Sequence, residues 1–429
     1  MLPHLRRLAG SLLPGALLLA ACGGAPTPGV VEVTLPVSVL GAEAEVLRRQ
    51  LRRFMEEYPD IRVVQRETPD AADQRHQLYV QWLNAGAGDP DILQLDVVWT
   101  PEFAAAGWIL PLERFAPDTG AFFPTTISAN RWGDSLFALP WFVDVGMLYW
   151  RTDLMAAPPT TFDALVRSAH SAKQRGGLRH GLVWQGARYE GLVTTFLEYL
   201  GGHGGRIMEE GQVVVASAAG RQALREMRSE IHESGIVPPA ALTWHEEETR
   251  FAFQNGESAF MRNWPYAYGL MQDSSQSRVA GRFAVAPMPA TPNGTPTAAL
   301  GGAQLAINRN TEHPEAAWRV IDYLTRPEQM LERARVVGQF PTRAAVYDDP
   351  QLAAALSIPP AQARRVIEHA VARPVTPIYT QLSDILQVHL HRALTRQREP
   401  AAALAEAQAE MQRLLNRVGL GVGGRSARR

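Results

Sequence analysis

The 429 residues carry 42 lysines and arginines against 43 aspartates and glutamates, a formal charge of -1, so no overall field draws the chain to nucleic acid or to an anionic membrane surface. With 46% hydrophobic residues, a chain of this length buries a sizeable core and is expected to divide into two lobes. Its single cysteine, Cys22, excludes an internal disulfide.

The first thirty residues read as an export segment. Arg6 and Arg7 precede an apolar run from Leu12 to Ala21 that is too short to span a bilayer, and small residues follow. Leu19-Ala20-Ala21-Cys22 resembles the bacterial lipobox, cut just before a cysteine that then carries lipid. An unpaired thiol in an exported chain is explained by that role. Residues 1–21 are therefore expected to be a lipoprotein signal peptide and 22–30 a lipidated cysteine with a flexible linker. No later apolar run is long enough for a membrane-spanning helix.

Val30 to Val39 alternates as a strand, and Glu43 to Tyr58 repeats Val46, Leu47, Leu51, Phe54 and Met55 at helical spacing before Pro59. Ile61 to Val64 reads as a strand, Arg75 to Asn84 as a helix, and Asp91 to Val97 as a short strand. This alternation predicts a parallel sheet with helices on both faces and a ligand beyond the carboxyl ends of its strands. Asp96 lies at such an end. It also suits a cap for the Pro101 to Ala106 helix, but it stands some residues ahead of it, which favours a ligand role.

Leu139 to Tyr149 (LPWFVDVGMLY) is apolar except for Asp144, and a lone carboxylate there needs a partner or a wet surface. A strand crossing between lobes supplies one. Helices are expected at Thr160 to His170 and at Gly220 to Ser234. Gly201 to Gly205 lacks the Lys and Ser/Thr of a phosphate loop, so it reads as a turn, with His203 solvated. Glu246, Glu247 and Glu248 open a helix, where their charge favours the dipole. His245 makes no zinc motif because Thr249 stands four residues on. Phe251, Phe253 and Phe260 read as core.

Asn263-Trp264-Pro265-Tyr266 places two amphipathic rings around a proline, either core aromatics or a rigid platform beside a cleft. Phe283 to Met288 reads as a strand, and Leu300-Gly301-Gly302-Ala303 as a tight glycine turn entering the strand that ends at Ile307. His313 to Leu324 is a helix opened by Pro314, and Leu382 to Leu415 is helical with a break near Pro400.

The segments GDPDILQLDVVWTPEFAAAGWI, LPWFVDVGMLYWRTDL, FQNGESAFMRNWPYA, LGGAQLAI, HPEAAWRVIDYLTRPE and RPVTPIYTQLSDILQ, in that order, resemble the solute-binding subunits of carbohydrate ABC importers (family 1), most closely the trehalose/maltose-binding lipoproteins. The resemblance covers about Val31 to Leu415. It implies an α/β, two-lobed type II periplasmic-binding-protein fold closing by a hinge on a neutral di- or oligosaccharide. Residues 31–140 with 285–325 would form lobe 1, 141–284 with 326–415 lobe 2, and 416–429 a flexible tail. The implied sugar contacts are Glu43, Arg75, Asp96, Asp144, Glu246, Trp264, Tyr266, the Gly302 backbone and Arg373. Acids and arginines would exchange hydrogen bonds with hydroxyls while rings cover the apolar sugar face. For Arg373 a surface ion pair with Asp384 competes, and for Arg75 a solvated place on its helix. Ala303 stands where many relatives carry tryptophan, which widens that end of the cleft.

The implied partners are a carbohydrate and the ABC permease subunits, with membrane contact through the lipid alone and no nucleic acid. A monomer facing the periplasm or cell exterior is expected, without metal, cofactor or catalytic residue. Two other classes share the residue set. A glycoside hydrolase also combines aromatic rings with acids roughly 5 to 9.5 Å apart, and a receptor for a polyamine or iron chelate also uses acids beside rings. Nucleophilic catalysis lacks support, since Gly256-Glu257-Ser258 is followed by Phe260 where an esterase elbow needs glycine.

Overall fold

In the computed structural model, residues 29–38 and 42–420 are described; the expected signal peptide and Cys22 lie outside them. β1 (Val31–Ser38) turns Val33, Leu35 and Val37 into the core and pairs in parallel with β2 (Ile61–Thr68). Between them, α1 (Glu43–Glu57) lays Val46, Leu47, Leu51 and Phe54 on one buried stripe, the consequence of helical apolar spacing. α2 (Ala72–Asn84) leads to β3 (Ile92–Asp96). β3 is seated beside β1 by Asp91, whose Oδ2 accepts the Thr34 N–H at 2.7 Å and whose own N–H donates to Thr34 Oγ1 at 3.1 Å. The short helices α3 (Thr100–Ala105) and α4 (Pro124–Ser128) and the small hairpin β4 (Arg131–Trp132) and β5 (Ser135–Leu136) follow.

β6 (Ala138–Val145) and β7 (Met147–Arg151) are the crossing. The expected single strand is two, belonging to different sheets and separated only by Gly146. A Cβ on Gly146 would collide with the buried Glu198 and Arg262 side chains, so only glycine fits at the change of sheet. Beyond it lie α5 (Phe162–Gly176, capped by the Thr161 hydroxyl), β8 (His180–Val183), α6 (Glu190–Gly202), the hairpin β9 (Met208–Glu209) and β10 (Gln212–Val213), α7 (Ala218–His232) and α8 (Glu246–Gln254). Next come β11 (Ser258–Asn263), α9 (Tyr266–Met271), β12 (Phe283–Ala286) and β13 (Leu300–Ile307). The helices α10 (Pro314–Leu324), α11 (Pro327–Val337), α12 (Pro350–Ala355), α13 (Pro360–His369), α14 (Tyr379–Leu394) and α15 (Pro400–Arg417) complete the chain.

The two main sheets run β3-β13-β6 and β12-β7-β11-β8. The expected all-parallel sheet is corrected: β1 with β2 and β11 with β8 are parallel, but β13 returns antiparallel between β3 and β6, and β7 is antiparallel to β11 and β12. β13 arrives from the far half of the sequence, so strand alternation in the first hundred residues does not encode it. The change of sheet falls at Gly146 and again between Ala286 and Leu300, because β6 stays paired with β13 as far as Val145 rather than leaving at residue 140. α11 also reaches across: Met330 packs with Leu47 and Phe54, while Ala334 and Val337 pack with Tyr266 and Ala267.

Four local expectations change. The Gly301-Gly302 pair lies inside β13, not in a turn, with Gly302 at φ +118° and a register shift between Ala303 and Gln304. Phe251 is 48% exposed, because it sits on the outer face of α8 under the Arg250 guanidinium. His203 is half-buried and stacks on Phe162 at 4.9 Å. α15 runs to Arg417 and Leu420 packs on the core, so residues 416–420 belong to the folded body. Among the described residues no helix is long and apolar enough to cross a membrane.

Candidate functional site

Where the ends of β3 and β6 and the start of β13 face the starts of α6 and α8, the two sheets enclose a cavity with about 820 Å³ of empty space, its open mouth included. Chain geometry puts carboxylates there. Asp96 is the last residue of β3 and pairs with Ala303; Asp144, near the end of β6, pairs with Gly301. Glu43, Glu190 and Glu246 are the first residues of α1, α6 and α8, where the helix dipole favours negative charge. All nine residues named from the sequence line this one cavity: Glu43, Arg75, Asp96, Asp144, Glu246, Trp264, Tyr266, Gly302 and Arg373. Residues 43 and 373 are brought together from opposite ends of the chain.

The surroundings of several differ from expectation. Arg373 is 3% exposed and has no part in a surface pair with Asp384. Its Nη2 donates to Asp96 Oδ1 at 2.7 Å and its Nη1 to Glu190 Oε1 at 2.8 Å. Burial by itself would lower its pKa, but the two carboxylates outweigh that and hold the guanidinium above its ordinary value. Arg75 is buried rather than solvated, with Nη1 donating to the Pro69 and Asp70 carbonyls at 2.9 and 3.1 Å and the guanidinium 5.5 Å from the Trp99 ring. Tyr266 is 2% exposed with its hydroxyl donating to Glu247 Oε1 at 2.7 Å, so the aromatic platform reduces to Trp264. That ring is fixed on two sides. Its Nε1 donates to Glu246 Oε1 at 3.3 Å, and the Arg262 guanidinium lies 4.0 Å from its centroid. Arg262 is itself held by Glu198 at 2.8 Å, both side chains fully buried.

Asp96 does not cap α3, whose N-cap is Trp99 without a side-chain bond; its Oδ1 instead accepts the Val98 N–H at 3.2 Å and the Arg373 bond. Ala303 lies in the lining beside it, so the space a larger side chain would fill there stays open. Sequence reasoning missed Asp70, Phe142, Tyr189 and Glu190, all in the lining. A carboxylate opening a helix, as Glu190 does, is so ordinary that its only available signal was Arg373's need for a partner.

The electrostatics are uneven. Six carboxylates and two arginines line the cavity. Burial, reinforced by the charges of Glu43 and Asp96 and opposed by Arg333, pushes the Asp144 carboxyl up to about 8. Burial likewise raises Glu43 to about 7, against Arg333 and Arg75; Gln339 Nε2 donates to it at 2.8 Å. Three buried polar atoms of the lining have no partner in the protein: Asp144 Oδ1, Arg75 Nε and Arg373 Nε. Buried polar groups are seldom left so, and all three belong to residues that line this one cavity. Among the described residues, no group of three or more His, Cys, Asp and Glu is arranged to hold a metal ion.

Two sheets with no common strand, joined by extended crossings and meeting at a polar cavity, define a two-lobed binding protein. The chain belongs to the bacterial extracellular solute-binding protein family, whose model matches residues 40–331; these are non-enzymatic transport components. It is 36% identical over 368 residues to a probable ABC transporter-binding protein of Deinococcus radiodurans, spanning 82% of this chain and 86% of that one. Maltose-bound MalE3 of T. maritima is similar at a TM-score of 0.86 and 41% identity, covering 90% of this chain and 100% of that one. A solute-binding protein of Thermotoga lettingae bound with α-D-tagatose has the same fold at a TM-score of 0.81 and 24% identity, covering 90% and 99%.

Proposed function

We propose that this chain is the sugar receptor of an ABC importer, binding a neutral di- or oligosaccharide of the maltose or trehalose kind between its lobes and delivering it to permease subunits. The observation that carries this reading is the cavity itself, where the anchored Trp264 ring stands among six carboxylates and two arginines, and Asp144, Arg75 and Arg373 each keep a polar atom that no protein group satisfies. A sugar offers that mixture: hydroxyls that donate and accept, and an apolar ring face. Closure follows if the sugar binds the closed form better than the open one. The similarity to maltose-bound MalE3 supports the same ligand class. Cys22 would be the lipidated first residue of the mature chain, holding a monomeric receptor at the membrane surface, facing the periplasm or cell exterior.

Calorimetry with maltose, trehalose and glucose tests the reading; a Kd of roughly micromolar, about 8 kcal/mol, is expected for at least one of them. The excess of carboxylates over arginines in the lining favours one rival, a receptor for a cationic solute. Spermidine binding with no response to any sugar would replace the sugar reading with that one.

A further inference from the structure

We infer that Glu190 is a positioning residue that, through Arg373, clasps the two lobes together. The inference rests on the two-lobed receptor reading but not on which solute the cavity takes. Arg373 spends one terminal nitrogen on each side: Nη2 on Asp96, at the end of β3 in one sheet's lobe, and Nη1 on Glu190, at the start of α6 in the other. Both oxygens of Glu190 are engaged by protein. Its Oε1 accepts from Arg373 and from the Tyr379 hydroxyl at 2.6 Å, and its Oε2 accepts from the Ser383 hydroxyl. With Glu190 committed, Nε is the one nitrogen of Arg373 left without a protein partner, so a solute in the cavity meets a guanidinium whose position is already fixed.

The clasp continues along one side of α14. Thr380 Oγ1 donates to Glu102 Oε2 of α3 at 2.8 Å, an oxygen that His76 Nε2 of α2 also meets at 3.0 Å. Gln387 Nε2 donates to Asp73 Oδ2 of α2 at 3.2 Å. The Tyr379 ring packs among Leu93, Leu95 and Phe103 of the first lobe, while Leu382, Leu386 and Leu390 of the same helix pack in the second. Tyr379, Thr380, Ser383 and Gln387 thus fasten α14, anchored in one lobe, to α2 and α3 of the other and to the Glu190 hub. Every one of these bonds joins two protein groups. Those that cross between the lobes, made by Arg373, Thr380 and Gln387, therefore favour the closed arrangement whatever solute is present, and a solute needs correspondingly less differential affinity to complete closure.

Small-angle scattering of the solute-free, full-length protein tests the clasp directly. Glu190→Gln keeps the shape but removes the charge, and Asp96→Asn loosens the opposite arm. Each is expected to raise the radius of gyration above that of the wild type. The double variant is expected to open no further than either single one, since both break the same bridge. With maltose as probe, Glu190→Gln is expected to weaken the Kd about tenfold through lost closure. Unchanged solute-free scattering in both single variants overturns the clasp. Additive opening in the double variant overturns the bridge through Arg373. Should Glu190→Gln fail to fold, Asp96→Asn alone decides by the same scattering comparison. If no sugar binds but both variants open, the clasp stands and the sugar reading falls.

Discussion

Asp144 shows how one carboxyl couples site and stability. Its pKa is 3.8 in an ordinary setting and about 8 in the fold. The folded form therefore holds its proton where the unfolded chain has lost it. A group raised in this way contributes stability that is complete below its unfolded pKa and is lost as pH rises through the folded one. Between about pH 4 and pH 8 the unliganded protein is expected to lose stability at this residue, and Asp144→Asn removes that loss. From about pH 4 to pH 8 the melting temperature of the wild type should fall relative to that of the variant; a difference that does not change with pH would show that Asp144 titrates normally. Trp264 carries a separate expectation. Removing its ring in Trp264→Ala should weaken sugar binding at least about tenfold, since aromatic contact adds about 0.5–1.5 kcal/mol beyond burial, measured by calorimetry. Arg262 would survive on its Glu198 pair.

At the scale of elements, the β6 to β7 crossing is the most constrained piece of chain. Val145 pairs with Leu300 in one sheet and Met147 with Asn263 in the other, leaving Gly146 alone to change direction against the buried Glu198 and Arg262 pair. Gly146→Ala must displace one of those charges, and breaking a buried pair costs about 3–5 kcal/mol. Chemical denaturation should register that loss, with the sugar site disturbed as well because Arg262 lies under Trp264. β13 is constrained differently. A Cβ at Gly302, with φ +118°, would strike the Phe142 carbonyl, so the strand bulges there with its backbone against the cavity. The strand character of Leu300 to Ile307 was readable in the sequence. Its glycines looked like a turn because alternation within a strand and a turn leading into one leave the same residues in a short window.

For the whole molecule, occupancy, closure and stability are linked. A solute that binds only the folded form stabilises it by about 2.7 kcal/mol at a hundredfold excess over Kd, so a sugar that fills the cavity should raise the melting temperature and compact the scattering profile together. A rise in melting temperature without compaction would place the ligand outside the space between the lobes. The amino-acid order by itself determined the elements with strong periodicity, such as α1, α5, α10 and α14, since helical spacing of apolar residues is local information. It also pointed to Asp96, at a strand end, and to the aromatic pair around Pro265. Only the tertiary structure decided that β13 runs antiparallel beside β3, that Tyr266 turns into the core, and that Arg373 answers to Asp96 and Glu190, respectively 277 and 183 residues away. Charge partners buried together are selected by the enclosed, low-dielectric space they share. That space exists only once the two sheets have met.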